Sequence, residues 1–212
     1  FPYTTLFRSR SPWGYVSISQ IATPDWASWW KNPDCHYTQF MAKDNVSFHS
    51  VFFPAQELAM DDNWKTVDVL KGQNFLNFNG AKISKSTGNG IFLDTALDIA
   101  PSDCWRYALM ASAPETDDTD FTMTRFAEIV NKDLNGLLGN FVSRVCKLSA
   151  KNFGDVVPNG GEIDSELADK INEKLGELTN ALEKCEFRKS IVALREIYGI
   201  ANEYMTVKEP WS

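Results

Sequence analysis

Three observations predict an α/β layer followed by an all-α bundle. Between Ser11 and Ser112, short apolar runs of strand length alternate with segments of helical spacing, separated by turn residues. Asn79-Gly80 sits between two apolar-containing runs, the strongest short-range signal for a β-hairpin. Beyond an acidic stretch at 114–120, apolar residues recur at intervals of three and four over three successive segments, as in a helical bundle. Residues 10–120 are therefore expected to form the α/β part and residues 121–212 the helical part. With 212 residues, 43% of them hydrophobic, the chain can bury a substantial core.

Tyr15 to Ser19 alternates apolar and polar and reads as the end of a strand. Trp26, Trp29 and Trp30 share a helical spacing, which predicts a short surface helix whose tryptophans pack rather than bind. Tyr37 to Met41 reads as a strand, Ala42 to His49 as a strand-to-helix turn, and Gln56 to Met60 as a short helix. Thr66 to Leu70 is the next expected strand. Phe75 to Phe78 and Ala81 to Ser84 are the arms of the hairpin. Phe92 to Ile99 reads as a helix, and Pro101-Ser102-Asp103 starts another that runs to about Ala111. Pro114 to Asp120 reads as a polar linker. The apolar spacing from Phe126 to Leu148 predicts one long helix, ended by the loop at 152–161. Leu167 to Leu182 marks a second helix, with Asp164 or Ser165 as cap, and Phe187 to Tyr204 a third.

A net charge of −7 excludes a global nucleic-acid footprint, so any RNA contact must be local. The four cysteines are scattered and none forms a C-x-x-C pair, which gives neither a zinc signature nor a disulfide framework and fits a reducing, cytoplasmic setting. Cys35 and His36 are neighbours on an extended segment and face opposite ways, so they do not make joint metal ligands. No apolar run approaches membrane-spanning length, and no signal-peptide layout is present.

The stretch richest in chemistry is Asn79 to Asn89. Lys82, Ser84, Lys85 and Ser86 fall within five residues, with Gly80 and Gly88 on either side. Lysine ammonium groups are mobile point charges suited to polyphosphate, and serine hydroxyls and turn N–H groups add donors. This predicts a mobile loop gripping an anionic ligand, a nucleoside triphosphate foremost. By composition alone a solvated lysine turn at a hairpin tip fits equally well. A second candidate lies at the expected strand end. Asp44 can accept two ribose hydroxyls and His49 can donate to a substrate, outside the carboxyl end of a strand where open α/β sheets bind ligands. The alternatives there are a capping aspartate and a core-edge histidine.

Together these segments resemble the class I aminoacyl-tRNA synthetases, specifically the methionyl-tRNA synthetase family. Lys82-Ile83-Ser84-Lys85-Ser86 resembles the class I signature lysine loop, with Ile83 where Met is more usual. Phe40 to Ala55 resembles the family's ribose- and methionine-side segment, and Pro12-Trp13-Gly14-Tyr15 its Pro-Ile-Gly-Tyr stretch. Gly139 to Arg144 and Glu209-Pro210-Trp211 resemble its anticodon-reading pieces. The resemblance implies the C-terminal half of a class I Rossmann-type catalytic domain with a stem-contact region, then the start of a helical-bundle anticodon-binding domain.

The same resemblance implies roles. Lys82 and Lys85 would bind the ATP triphosphate and stabilise the transition state, with Ser84 and Ser86 beside them and Mg2+ arriving with the nucleotide. Asp44 would hold the ribose, with Asn45 near the adenine. Tyr15, His49 and Phe53 would line the methionine pocket, Phe53 standing where many relatives carry Trp. A thioether pocket selects mainly by shape and polarizable aromatic contact. Asn140 and Arg144, four apart on one helix face, would engage anticodon bases or phosphate, and Trp211 would stack on an unpaired base. Without the resemblance, a solvated helix face and a packed aromatic suffice. The implied partners are methionine and methionine tRNA, met at acceptor stem and anticodon, with neither DNA nor membrane involved.

The family's His-Ile-Gly-His motif and zinc-bearing insert do not occur in these 212 residues. Residues 1–9 are similar to the conceptual translation of a sequencing adapter and are expected to be an artefact. The chain is expected to be a piece cut at both ends, inactive alone in adenylate formation. Two other readings remain. One is another class I synthetase, leucyl or cysteinyl, against which Asn140, Arg144 and Trp211 argue. The other is a non-catalytic tRNA-binding module, which has no use for Asp44, His49 and the lysine loop together.

Overall fold

The computed structural model describes residues 11–60, 62–154 and 156–211. The segment 1–9, read above as adapter-derived, lies outside the described residues. The chain divides into two compact units, Phe1–Phe75 and Leu76–Ser212.

The first unit opens with α1 (Trp13–Ala22) and the short α2 (Ala27–Trp30). The strand expected at Tyr15 to Ser19 is thus helical. The alternation there is satisfied differently: Ser17 Oγ and Ser19 Oγ each donate to the carbonyl four residues back, at 3.2 and 2.9 Å. Strand β1 (Thr38–Ala42) follows, then a tight turn at Lys43–Asn45, a wide π-type turn at Phe48–Phe52, α3 (Phe53–Ala59) and strand β2 (Val69–Gln73). The two strands pair in parallel, Thr38 opposite Val69 and Ala42 opposite Gln73. The strand read at 66–70 begins later because Asp68 is used otherwise. Its carboxylate accepts the Tyr37 N–H at 2.8 Å, which sets the register at Val69. Gly72 on β2 leaves room for Val46: a Cβ there would stand 2.9 Å from Val46 Cγ2 and force that side chain to shift. The core is aromatic: Val16, Trp30 and Phe53 are buried beneath Trp13, Trp26, Tyr37 and Trp64.

The second unit opens with the hairpin. Strands β3 (Leu76–Phe78) and β4 (Ala81–Lys82) are antiparallel, and Asn79 and Gly80 both take positive φ, +51° and +75°. That is the double left-handed turn that an Asn-Gly pair permits. Helices α4 (Leu93–Ile99) and α5 (Ser102–Ala111) follow. The acidic linker does not stay irregular: Thr119–Phe121 forms β5, parallel to β3. Thr122 then caps α6 (Met123–Ile129), its hydroxyl accepting the Arg125 N–H at 3.1 Å. The single long helix read from Phe126 to Leu148 is continuous but changes pitch. It passes through wide π-type turns at Val130–Gly139 before α7 (Asn140–Phe153). Two long helices close the unit: α8 (Ser165–Glu183), capped by Asp164, and α9 (Phe187–Lys208).

The core of this unit sits where α5, β5, α6 and α9 meet. Tyr107, Ala108, Phe121, Phe126, Ile129 and Ile191 are buried together, and Trp105 stacks on Phe126 at 4.0 Å between ring centroids. Beside it, Asp133 of the wide-turn segment is buried. It accepts from Tyr107 Oη at 3.1 Å and faces Arg195 Nε at 3.1 Å, an ion pair off the line of a directed hydrogen bond. Burial, and then the Asp133 charge, hold the Tyr107 phenol well above its usual pKa. Glu115, in the former linker, accepts the Phe187 and Arg188 N–H groups at 2.6 and 3.3 Å, which caps α9.

Candidate functional site

The lysine loop leaves β4 as expected. Ile83 to Gly88 bulges outward between one closing bridge, where Ser84 N donates to Asn89 O at 2.9 Å. Lys82, Lys85 and Ser86 are exposed and Ser84 is half-covered. Ser84 Oγ and Ser86 Oγ lie 3.1 Å apart, which gathers two hydroxyls on the loop with the lysines around them. The arrangement offers mobile cations and hydroxyl donors to an anion without a competing carboxylate in the loop itself. Below it, an apolar cleft of about 390 Å³ is bordered by Ile83, Ile91, Leu93, Leu97, Trp105 and Leu109.

The second group lies in the first unit. His49 is buried, and both ring nitrogens are engaged: Nδ1 lies 2.9 Å from Asn45 O, and Nε2 lies 3.2 Å from Tyr15 Oη. A carbonyl only accepts, so Nδ1 carries a proton, and in the neutral imidazole Nε2 then accepts from the Tyr15 hydroxyl. The half-exposed Tyr15 ring is thereby held by the histidine. A ligand bond to His49 requires the tyrosine hydroxyl to give way. Asn45 in turn donates from Nδ2 to Asp44 Oδ1 at 3.3 Å, so Asp44, Asn45, His49 and Tyr15 form one connected chain. Asp44 itself is exposed at the carboxyl end of β1. Phe53 is separate. It is 1% exposed and packs edge-on against Trp13 at 5.2 Å, inside the aromatic core.

The third group lies on the helical unit. Arg144 places its guanidinium over the Trp211 ring, 4.9 Å from the centroid, and Trp211 remains 49% exposed. Asn140 is exposed at the start of α7, one turn before Arg144. One cation-backed aromatic face with a polar amide nearby suits an unstacked base.

The environments of two further residues are not legible in the sequence. Glu57, on α3, is 2% exposed with neither carboxylate oxygen hydrogen-bonded, and burial pushes its carboxyl up to about 7. Asp120, on β5, accepts the Gly80 N–H at 2.7 Å and so fastens the hairpin turn. The Asn-Gly turn signal could have prompted a search for such a partner; nothing local marks Glu57. Among the described residues, no helix is long and apolar enough to cross a membrane, and no group of three or more His, Cys, Asp or Glu could hold a metal ion.

Comparison with known proteins supplies the frame for these groups. Residues 10–146 match the family of tRNA synthetases class I (M), and residues 157–212 match the anticodon binding domain of methionyl tRNA ligase. The chain is similar to the methionine-tRNA ligase of Streptomyces avermitilis, 47% identical over 195 residues that cover 88% of this chain and 34% of that relative. It is also similar to methionine-tRNA ligase 1 of Acaryochloris marina, 44% identical over 209 residues, covering 95% of this chain and 38% of the relative. The chain thus spans about a third of the length of the curated relatives it matches. Among solved structures, Mycobacterium tuberculosis methionyl-tRNA synthetase in complex with methionyl-adenylate superposes with a TM-score of 0.72 at 28% identity, over 82% of this chain and 34% of that one. With a family model covering well over half of its residues, the chain belongs to the class I tRNA synthetases (M).

Proposed function

We propose that this chain is the ATP-gripping and anticodon-reading segment of a methionine-tRNA ligase that works in the cytoplasm. The observation that carries this reading is the order of the two matches along one chain, a class I (M) synthetase region and then a methionyl anticodon-binding region. In the parent reaction a methionine carboxylate oxygen attacks the α-phosphorus of ATP. The bond from that phosphorus to the bridging oxygen breaks, and pyrophosphate leaves with its Mg2+. A ribose hydroxyl of the terminal tRNA adenosine then attacks the activated carbonyl, and AMP leaves.

Lys82 and Lys85 act in the first step by charge stabilisation and positioning, with no covalent intermediate on the protein. They draw the triphosphate into line and offset charge developing on the bridging and β-phosphate oxygens. Ser84 and Ser86 add hydroxyl donors to the same oxygens. Asp44 accepts the ribose hydroxyls at the end of β1, and Asn45 lies toward the adenine. Tyr15, held by His49, forms one side of the methionine pocket. Phe53 braces that side from within the core through Trp13. Arg144 and Trp211 take an anticodon base by stacking, and Asn140 reads an edge beside it. Acceptor-stem contact falls to the region between the lysine loop and α6. The exposed apolar side chains of the first unit, Ile21, Phe40 and Val51 among them, pack against the remainder of the ligase.

The test is amino-acid-dependent exchange of pyrophosphate into ATP by the full-length ligase that contains this segment. Methionine is expected to support exchange at least ~100-fold better than leucine or cysteine, in the range that a shaped pocket achieves over several contacts. Equal or better exchange with leucine or cysteine assigns the segment to another class I synthetase. No exchange with any amino acid, alongside intact tRNA binding, assigns it to a tRNA-binding module.

A further inference from the structure

Asn89 closes the lysine loop from behind. Its Nδ2 lies 3.0 Å from Phe78 O, 3.2 Å from Ala81 O and 3.0 Å from Lys82 O. Its backbone carbonyl accepts the Ser84 N–H at 2.9 Å. Phe78 ends β3, and Ala81 and Lys82 make up β4. One amide therefore bridges both arms of the hairpin at the point where the loop departs. An amide NH2 carries two protons, and three carbonyls share them. The hairpin is fastened at its tip as well, by Asp120 to Gly80 N and by Phe121 O to Asn79 N at 3.2 Å. Between these ties, residues 83–88 form no strand pairing beyond the Ser84 bridge to Asn89, and Lys85, Ser86, Thr87 and Gly88 are exposed.

The division has a mechanical consequence. A loop gripping a triphosphate must move to admit and release it, yet its cations must return to one place. Tying the two roots together confines motion to the excursion and fixes its origin. A neutral donor suits the task, because all its acceptors are carbonyls and it puts no carboxylate beside the phosphates. Lys82 is bound to the tie through its own carbonyl, so the peptide that carries it into the loop is held in place.

We infer that Asn89 is a positioning residue: its side-chain amide, bound to the carbonyls of Phe78, Ala81 and Lys82, holds the roots of the lysine loop so that Lys82 and Lys85 meet the ATP triphosphate from a fixed base. This rests on the reading of the loop as the ATP-binding loop. The amide, not the shape, is what matters. Asn89→Asp keeps the shape and turns a shared donor into an acceptor facing three carbonyls, whereas Asn89→Ala removes the group.

The experiment has two arms. In the full-length ligase containing this segment, amide hydrogen exchange is followed at Ser84 for the parent, Asn89→Asp and Asn89→Ala. In the full-length ligase containing this segment, ATP-pyrophosphate exchange is measured for the same variants and for Lys85→Ala. Both Asn89 variants are expected to exchange Ser84 about tenfold faster or more, with far-UV circular dichroism unchanged, as local opening of a single tie requires. Both are expected to lower kcat roughly 10–100-fold with KM for methionine unchanged, as for catalytic groups displaced by about 1 Å. Unchanged Ser84 exchange overturns the tie. Faster Ser84 exchange with unchanged kcat, or an equal change in kcat and in KM for methionine, overturns its positioning role. If Lys85→Ala also leaves kcat unchanged, the failure lies with the reading of the loop itself. An effect of Lys85→Ala without one of Asn89→Asp condemns the role of Asn89 alone.

Discussion

Glu57 is the residue whose environment most contradicts its chemistry. An ordinary glutamate titrates near 4.5, and burial without a hydrogen bond lifts this one to about 7. The folded chain therefore keeps a proton that the unfolded chain releases. Stability is full below the unfolded value, falls as pH rises from about 4.5 to about 7, and is level above; the loss amounts to roughly 3 kcal/mol. Glu57→Gln should remove this slope. Urea unfolding at pH 8 is expected to show the variant more stable than the parent, with the two alike near pH 5. Parallel stability curves over that range would refute the assignment. At the other end of the chain, Trp211 is half-exposed over Arg144, a poor arrangement for core packing and a good one for stacking. Trp211→Ala should weaken binding of the methionine anticodon stem-loop by about 1–3 kcal/mol, and an unchanged Kd in titration calorimetry speaks against stacking.

At the scale of elements, Asp133 joins three pieces of the second unit: its own wide-turn segment, α5 through Tyr107 and α9 through Arg195. Asp133→Ala leaves a buried hydroxyl and a partly covered guanidinium without their acceptor. The expected cost is about 1–3 kcal/mol in denaturant unfolding, and a change under about 0.5 kcal/mol would show that the junction does not need it. Thr122→Ala removes the cap of α6 and should cost about 1 kcal/mol. What the sequence revealed about these elements depended on how local their causes are. The Asn79-Gly80 hairpin was legible because both residues carry the positive φ themselves. The cap at Asp164 was legible because its own carboxylate accepts the Leu167 N–H, and the start of α5 because Pro101 stands just ahead of Ser102, where a missing N–H costs nothing. Tyr15 to Ser19 misled because a period of two coincides with serines that bond back along a helix. Strand β5 was hidden in an acidic linker, since its pairing with β3 comes from residues more than forty positions earlier. The wide turns at Val130–Gly139 bring Asn131 O and Leu134 O within 3.1 Å of where a Cβ would stand on Gly136 and Gly139, and Leu137 O is met by Asn202 Nδ2 from α9 at 3.0 Å.

For the whole molecule, the lysine loop and the Arg144–Trp211 pair belong to one compact unit, while Asp44, His49 and Tyr15 belong to the other. The charges and hydroxyls of the loop were readable from composition. The engagement of both His49 nitrogens and the burial of Phe53 were not, because they arise from packing across α1, the π-type turn and α3. A net charge of −7 leaves RNA binding to local stacking and a few cations instead of a basic surface. The proposed function depends most on the lysine loop as the grip on ATP. The most direct test is ATP-pyrophosphate exchange by Lys85→Ala in the full-length ligase containing this segment, with methionine as substrate. The expected result is a fall in kcat of roughly 100-fold or more, as when a transition-state donor is removed, with anticodon stem-loop affinity unchanged. Unchanged exchange, or a loss confined to stem-loop binding, would contradict it.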